Sequence, residues 1–375
     1  MIKNRLLTTL ITLALATTPS TLLATEAKSP NPESSSPQSL LKKKVPYSVV
    51  GVFGADTTFG APDRWVVPIA RVIGYKEFGT LDILAQADTL GVSLQADYRT
   101  NPSIGVKPHY DYIAHGDYRH FDKTGKRLRP QEVKGNLAAV DLFTTFTYDK
   151  LGSKLTLSNG YKWYGSQDQT TIPLPSAHRV HDLTLDASYQ NLTTKEVVIK
   201  DGVDTAIQLT LQQHGTTETT KRAFAMLGYY NNSPTDYNLK LEARAGVESD
   251  SDLQNAWYLG SFISRQAPLP GRGYMQFRNS QFVQAQASLG IPLTGNLRAE
   301  PGANIVLFPS KNNITNAVQS DLTHPSLSLT LTGKIAGILP FGVKYGYALP
   351  TSSLSASHEL FCYIALAWNK LESKQ

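Results

Sequence analysis

The sequence predicts an all-β protein: a transmembrane antiparallel β-barrel of about 16 strands. Three observations lead to it. Beyond the first residues, no stretch of about 18 apolar residues exists that could cross a bilayer as a helix. From Tyr47 to the end, the chain is a succession of segments of about nine to thirteen residues in which apolar and polar side chains alternate, the length a tilted strand needs to span a membrane. Aromatic residues, 18 tyrosines among them, gather near the ends of those segments, as in the girdles that barrels place at the two membrane interfaces.

The chain opens on Lys3 and Arg5, followed by an apolar run from Leu6 to Ala16. This is the charge order of an export signal. Residues 1–27 are assigned to it, with cleavage after Ala24 or within Thr25-Glu26-Ala27. No Cys follows the run, which argues against lipoprotein processing. Residues 28–46 are rich in Pro, Ser and Lys and end on Lys42-Lys43-Lys44. With so little apolar surface to bury they read as a periplasmic linker, too short for a globular periplasmic domain. Residues 47–375 are assigned to the barrel.

Composition narrows the function. The mean hydropathy of −0.23 suits a barrel as well as a soluble protein, because only every second strand residue meets lipid. A single cysteine, Cys362, rules out an internal disulfide. The net charge of +6 is spread singly along strands and loops, which fits a polar lumen and phosphate-rich headgroups rather than a nucleic-acid footprint. None of the eight histidines stands in a nucleophile context. His178 and His181 lack an acidic cluster for a metal site. No enzyme activity, metal or cofactor is expected.

Taken in order, the strands justify themselves by period 2. Leu183, Leu185, Ala187 and Tyr189 interleave with Thr184, Asp186 and Ser188. Leu239, Leu241, Ala243 and Ala245 interleave with Lys240, Glu242 and Arg244. Val283 to Leu293 alternates with Gln284, Gln286, Ser288 and Gly290. Leu327, Leu329 and Leu331 alternate with Ser328, Thr330 and Thr332, and Phe341, Val343, Tyr345 and Tyr347 with Gly342, Lys344 and Gly346. The last segment, His358 to Trp368, reads as a closing strand. It puts Cys362 on the lipid face with Leu360, Ile364, Leu366 and Trp368. Counting gives about seventeen candidate strands where a single-chain bacterial barrel takes an even number, hence sixteen. The long loops 117–136 and 165–179 then fall at the wrong rim, a conflict assigned to residues 193–204 or 47–55. Pro301 predicts a bulge or an earlier turn.

Residues 269–298, LPGRGYMQFRNSQFVQAQASLGIPLTGNLR, place Arg272-Gly273-Tyr274 in a loop before a long alternating strand that ends on Ile291-Pro292-Leu293. With the closing strand marked by His358, Phe361 and Trp368, this stretch resembles the C-terminal part of the Omp85 (bacterial surface-antigen, BamA/TamA-like) family. The resemblance rests on motifs over residues 255–370 and on a compatible strand pattern over 47–254. It implies a Gram-negative outer-membrane location, contact with outer-membrane lipid and lipopolysaccharide, and a loop after the eleventh strand that folds into the lumen and is held by its Arg. It also implies weak pairing between first and last strands, and a role in protein insertion or translocation, with polypeptide clients or a periplasmic partner. The chain departs from the family at Ser288 and Gly290, where an acidic and a basic residue are usual, and over Ala299 to Asn304, where an Asp is usual. It also lacks the periplasmic (POTRA) domains that receive clients. Glu300, inward by alternation, is the expected partner of Arg272. A passive pore or structural outer-membrane barrel is the alternative.

Overall fold

A computed structural model describes residues 47–370, apart from 60–64, 89–90, 102, 122–126, 168–176, 196–198, 215–218, 234–235, 250–256, 263–266, 273–276, 295, 310, 313–316, 319–321 and 336–338. The proposed signal (1–27), the linker (28–46) and residues 371–375 lie outside the described residues. Among the described residues no helix is long and apolar enough to cross a membrane.

Sixteen antiparallel strands close into a barrel. They are β1 (Tyr47–Phe59), β2 (Trp65–Phe78), β3 (Leu81–Asp88), β4 (Gly91–Asn101), β5 (Ile104–Phe121), β6 (Arg127–Tyr148), β7 (Leu151–Gln167), β8 (Ala177–Lys195), β9 (Ile199–His214), β10 (Thr220–Asn232), β11 (Asn238–Glu248), β14 (Gln281–Thr294), β15 (Leu297–Leu307), β18 (Thr323–Ile335), β19 (Leu339–Ala348) and β20 (Ser357–Lys370). Two small pairs form separate two-stranded sheets: β12 (Trp257–Leu259) with β13 (Phe277–Asn279), and β16 (Lys311–Asn312) with β17 (Ala317–Val318).

Alternation decides which way each side chain faces. Leu155 and Leu157 on β7, Leu183 and Leu185 on β8, and Ile207, Leu209 and Leu211 on β9 form an exposed apolar belt. Between them, Thr156, Thr184 and Thr210 are buried on the inner face. The inner wall is charged as well as polar. Lys107 pairs with Asp141 at 2.9 Å, and His109 lies 3.2 Å from both Asp111 and Asp141. Arg244 reaches Glu242 at 3.0 Å. Leu209→Arg would put a charge in the middle of the lipid belt. It is expected to lower stability by about 2–4 kcal/mol in urea unfolding from lipid vesicles.

One rim carries connections of a few residues: 79–80, 102–103, 149–150, 196–198, 233–237, 295–296 and 336–338. Left-handed residues make several of them, with φ of +68° at Gly79, +50° at Asp149 and +63° at Asp236. The start of β1 and the end of β20, Tyr47 and Lys370, face each other at this rim. The other rim holds the long connections, 168–176, 249–280, 308–322 and 349–356 among them. Short periplasmic turns and long external loops are the pattern of outer-membrane barrels. The parity conflict in the sequence vanishes. The described residues of 117–136 belong to β5 and β6 at the outer half of their hairpin, and β7 ends and β8 begins at the same rim. β5 to β8 have 18, 22, 17 and 19 residues, more than a crossing needs, so they project past the belt.

Pro301 introduces neither bulge nor turn. β15 runs through it, and Pro301 keeps its place opposite Leu329. Its cost appears on the other side, where the β14 ladder is interrupted between Ser288↔Gly302 and Ile291↔Ala299 without a change of register. Proline has no N–H to donate there. The one register shift of this pair lies at Pro292/Thr294, beside the tight turn.

Candidate functional site

The connection after the eleventh barrel strand runs from Ser249 to Ser280 and contains β12 and β13. Its described residues lie against the inward faces of β14, β15, β19 and β20. Trp257, Leu259, Ala267, Leu269 and Phe277 are buried and pack on Phe282 of β14, Val306 of β15 and the flanking Phe308 and Leu354. The apolar loop core thus completes a core with inward residues of the wall. Trp257 also meets Phe282 edge-on at 5.6 Å, and the Arg222 guanidinium lies 4.2 Å from the Trp257 ring.

Polar contacts then fix the loop. On one side, Gln284 Nε2 and Asn304 Nδ2 both donate to the carbonyl of Pro268, at 2.6 and 2.7 Å. On the other, Arg272 is 2 % exposed. It donates to the carbonyls of Ser355 and Leu349 at 2.9 Å each, and to Ser357 Oγ at 3.3 Å. A planar fork suits this set, because its N–H groups diverge toward separate acceptors. Ser357 Oγ in turn donates to the carbonyl of Gly271 at 2.5 Å.

Gly271 makes this approach feasible. Its φ is +86°, and a Cβ there would lie 2.1 Å from the Ala348 backbone nitrogen. Opposite it, Gly346 of β19 likewise has no room for a side chain, since a Cβ would lie 2.5 Å from the Gly271 nitrogen. The sequence singled out Gly273 for the turn. Gly273 and Tyr274 lie outside the described residues, and among the described glycines of the loop Gly260 and Gly271 have positive φ, +142° and +86°.

Glu359 is the acceptor that sequence reasoning missed. It is fully buried on the inner face of β20 and accepts from two loop backbone N–H groups, Phe262 through Oε1 and Gly271 through Oε2, both at 2.8 Å. Ser261 Oγ donates to Asp56 Oδ2 of β1 at 2.8 Å. Phe262 packs on an apolar patch formed by β1, β2, β3 and β20, including Val50, Val52, Phe361 and Tyr363. The loop is therefore bonded to both strands of the closing seam. The alternation of the sequence held a signal for this: Glu359 is the one acidic residue on the inward face of the last strand.

Glu300 does not meet Arg272. It accepts from Lys240 Nζ at 2.5 Å and from Ser288 Oγ at 2.7 Å, a crosslink over β11, β14 and β15 on the inner wall. Alternation placed Glu300 on the correct face. It could not say that Lys240, opposite Ser288 in register, stands closer than the loop.

The seam departs from the weak pairing that the resemblance implied. All 13 residues of β1 are partnered with β20, from Tyr47↔Lys370 to Phe59↔His358, with no register shift. Of the closing-strand residues named from sequence, His358 faces outward and lies 2.6 Å from Tyr345 Oη through Nδ1. Phe361 faces the lumen, and Trp368 stands opposite Val49 in the ladder. Cys362 lies on the outward face, unbridged. Among the described residues no group of three or more His, Cys, Asp or Glu could hold a metal ion.

The architecture is a closed 16-stranded antiparallel barrel whose fold is similar to those of BamA and CdiB. BamA from Haemophilus ducreyi lacking POTRA domains 1–3 is similar over 87% of this chain and 71% of its own, with a TM-score of 0.61 at 11% identity. CdiB from Escherichia coli gives a TM-score of 0.59 at 11% identity over 85% of this chain, and CdiB from Acinetobacter baumannii 0.57 at 11% over 85%. The chain spans 63% and 60% of those two proteins. No family model matches the sequence, and no curated protein does.

Proposed function

We propose that this protein acts in the insertion or translocation of polypeptides at the outer membrane, as an Omp85-type barrel whose lumen loop and closing seam move together. One observation carries this reading. The loop is bonded to β1 through Asp56 and to β20 through Glu359 and Ser357, so parting the two strands breaks the loop's anchorage. The fold likeness to BamA and CdiB and the motif resemblance of residues 255–370 support it. A closed structural barrel or passive pore is the second reading, favoured by the unbroken ladder of the seam.

The lone cysteine offers a direct test. Ala55 is the register partner of Cys362 across the seam, and both face outward. Directly opposed residues of an antiparallel pair have Cα atoms about 4.5–5.5 Å apart, within disulfide range. Ala55→Cys is therefore expected to lock the seam under oxidising conditions. The amounts of individual proteins in the outer membrane and the medium would fall to the level of a deletion strain, and recover with reductant or with Cys362→Ser added. A locked barrel that performs like the wild type would rule out seam opening and leave the second reading.

A further inference from the structure

The outward face of β5 to β9 changes character along its height. Leu142, Leu157, Leu183 and Leu211 form one row in register across β6 to β9, and all four are exposed. Two residues nearer the long-loop rim, the same strands present Val140, Asn159, His181 and Gln213. One step further they present Ala138, Tyr161 and Arg179. Tyr161 and Tyr110 flank Trp163 with ring centroids 6.2 and 6.4 Å away, an interfacial aromatic cluster of the kind barrels place at headgroup level. The apolar belt therefore ends at the leucine row, and the rows above it stand where acyl chains give way to headgroups.

A recess opens in the wall at this height, lined by Asn159, Tyr161, Arg179 and His181 together with His109 and small or apolar residues of β5, β6 and β7. Neither Arg179 nor His181 has a hydrogen-bond or ion partner among the described residues. Arg179 is exposed and both face outward. An exposed guanidinium at the edge of a membrane is satisfied by an anion or by water, and the anions abundant at that depth are lipid phosphates. The recess offers the donors a phosphate takes: the Arg179 fork, the His181 ring, the Asn159 amide and the Tyr161 hydroxyl.

We infer that this recess binds the phosphorylated headgroup of an outer-leaflet glycolipid, with Arg179 and His181 as the phosphate ligands. The inference rests on the reading of the chain as an outer-membrane barrel. The seam and loop play no part in it.

The test uses the full-length barrel folded into detergent micelles, with bis-phosphorylated lipid A as the probe and retention read by native mass spectrometry. Folding of every protein is first checked by heat-modifiable gel migration. Failure of the wild type to fold in any membrane mimetic would sink the barrel reading itself, not the site alone. With folded protein, the wild type is expected to retain lipid A. Arg179→Ala/His181→Ala should retain about tenfold less, where charge-assisted bonds have been removed. Lys150→Ala, at the opposite rim, should match the wild type, and Arg179→Lys should recover part of the loss. Equal retention by the double variant, or equal retention of lipid A stripped of its phosphates, would overturn the assignment. Displacement by millimolar inorganic phosphate would make this a free-phosphate site and overturn the lipid claim.

Discussion

Arg272→Ala is expected to turn a small, flickering single-channel conductance into a large, steady one in planar bilayers. The guanidinium is almost wholly buried and makes three hydrogen bonds to the chain around the start of β20. Hydrogen bonds to a charged group contribute about 1.5–3 kcal/mol each, so truncation weakens docking of the loop by several kcal/mol. Two backbone carbonyls and the Ser357 hydroxyl also lose their donor. A shift of about 4 kcal/mol changes the ratio of docked to released loop by about a thousandfold. Arg272→Lys is not expected to restore the closed state, because a single ammonium cannot reach acceptors that a planar fork meets in different directions. Equal conductance in wild type and Arg272→Ala would mean that the loop does not control the lumen.

Glu359→Ala attacks the same loop from the wall. It leaves the backbone N–H groups of Phe262 and Gly271 buried without their acceptor, at about 1–3 kcal/mol each. Glu359→Gln keeps one acceptor oxygen and is expected to lose about half as much. Hydrogen exchange reads this directly: the amides of Phe262 and Gly271 should lose protection by one to several orders of magnitude in the Ala variant, while amides in the β8–β9 ladder stay protected. Unchanged protection at both amides would show that apolar packing around Trp257 and Phe282 holds the loop by itself.

Most of the barrel was legible in the sequence because lipid on one side and a polar lumen on the other impose period 2 over long segments. Four of the last five strands enclose the alternating runs of the sequence: Val283–Leu293 lies in β14, Leu327–Leu331 in β18, Phe341–Tyr347 in β19 and His358–Trp368 in β20. Cys362 falls on the outward face, and the strand number is sixteen. The conflict over loop parity arose from counting, since two long strands, β8 and β9, occupy residues 177–195 and 199–214. What alternation cannot encode is position around the ring. Glu300 and Glu359 both face inward, yet Glu300 stands beside Lys240 on β11 while Glu359 stands under the loop. Most acceptors of Arg272 were invisible for a different reason: two of the three are backbone carbonyls, which every residue carries. The firmness of the seam was also hidden, because register between strands at opposite ends of a chain depends on closure of the whole ring rather than on any local pattern.

The anchorage of the loop on the last strand sets an order of events during biosynthesis. Glu359 and Ser357 lie on β20, the last strand of the ring, so β1 must wait for it until the fourteen strands between them have been made. Contacts between such distant segments form late, after the entropy of closing the intervening chain has been overcome. A nascent or truncated chain ending before Ser357 possesses the arginine but not its dock. Residues 257–272 then remain as an unplaced apolar segment, and completion of β20 becomes the timer for maturation of the lumen.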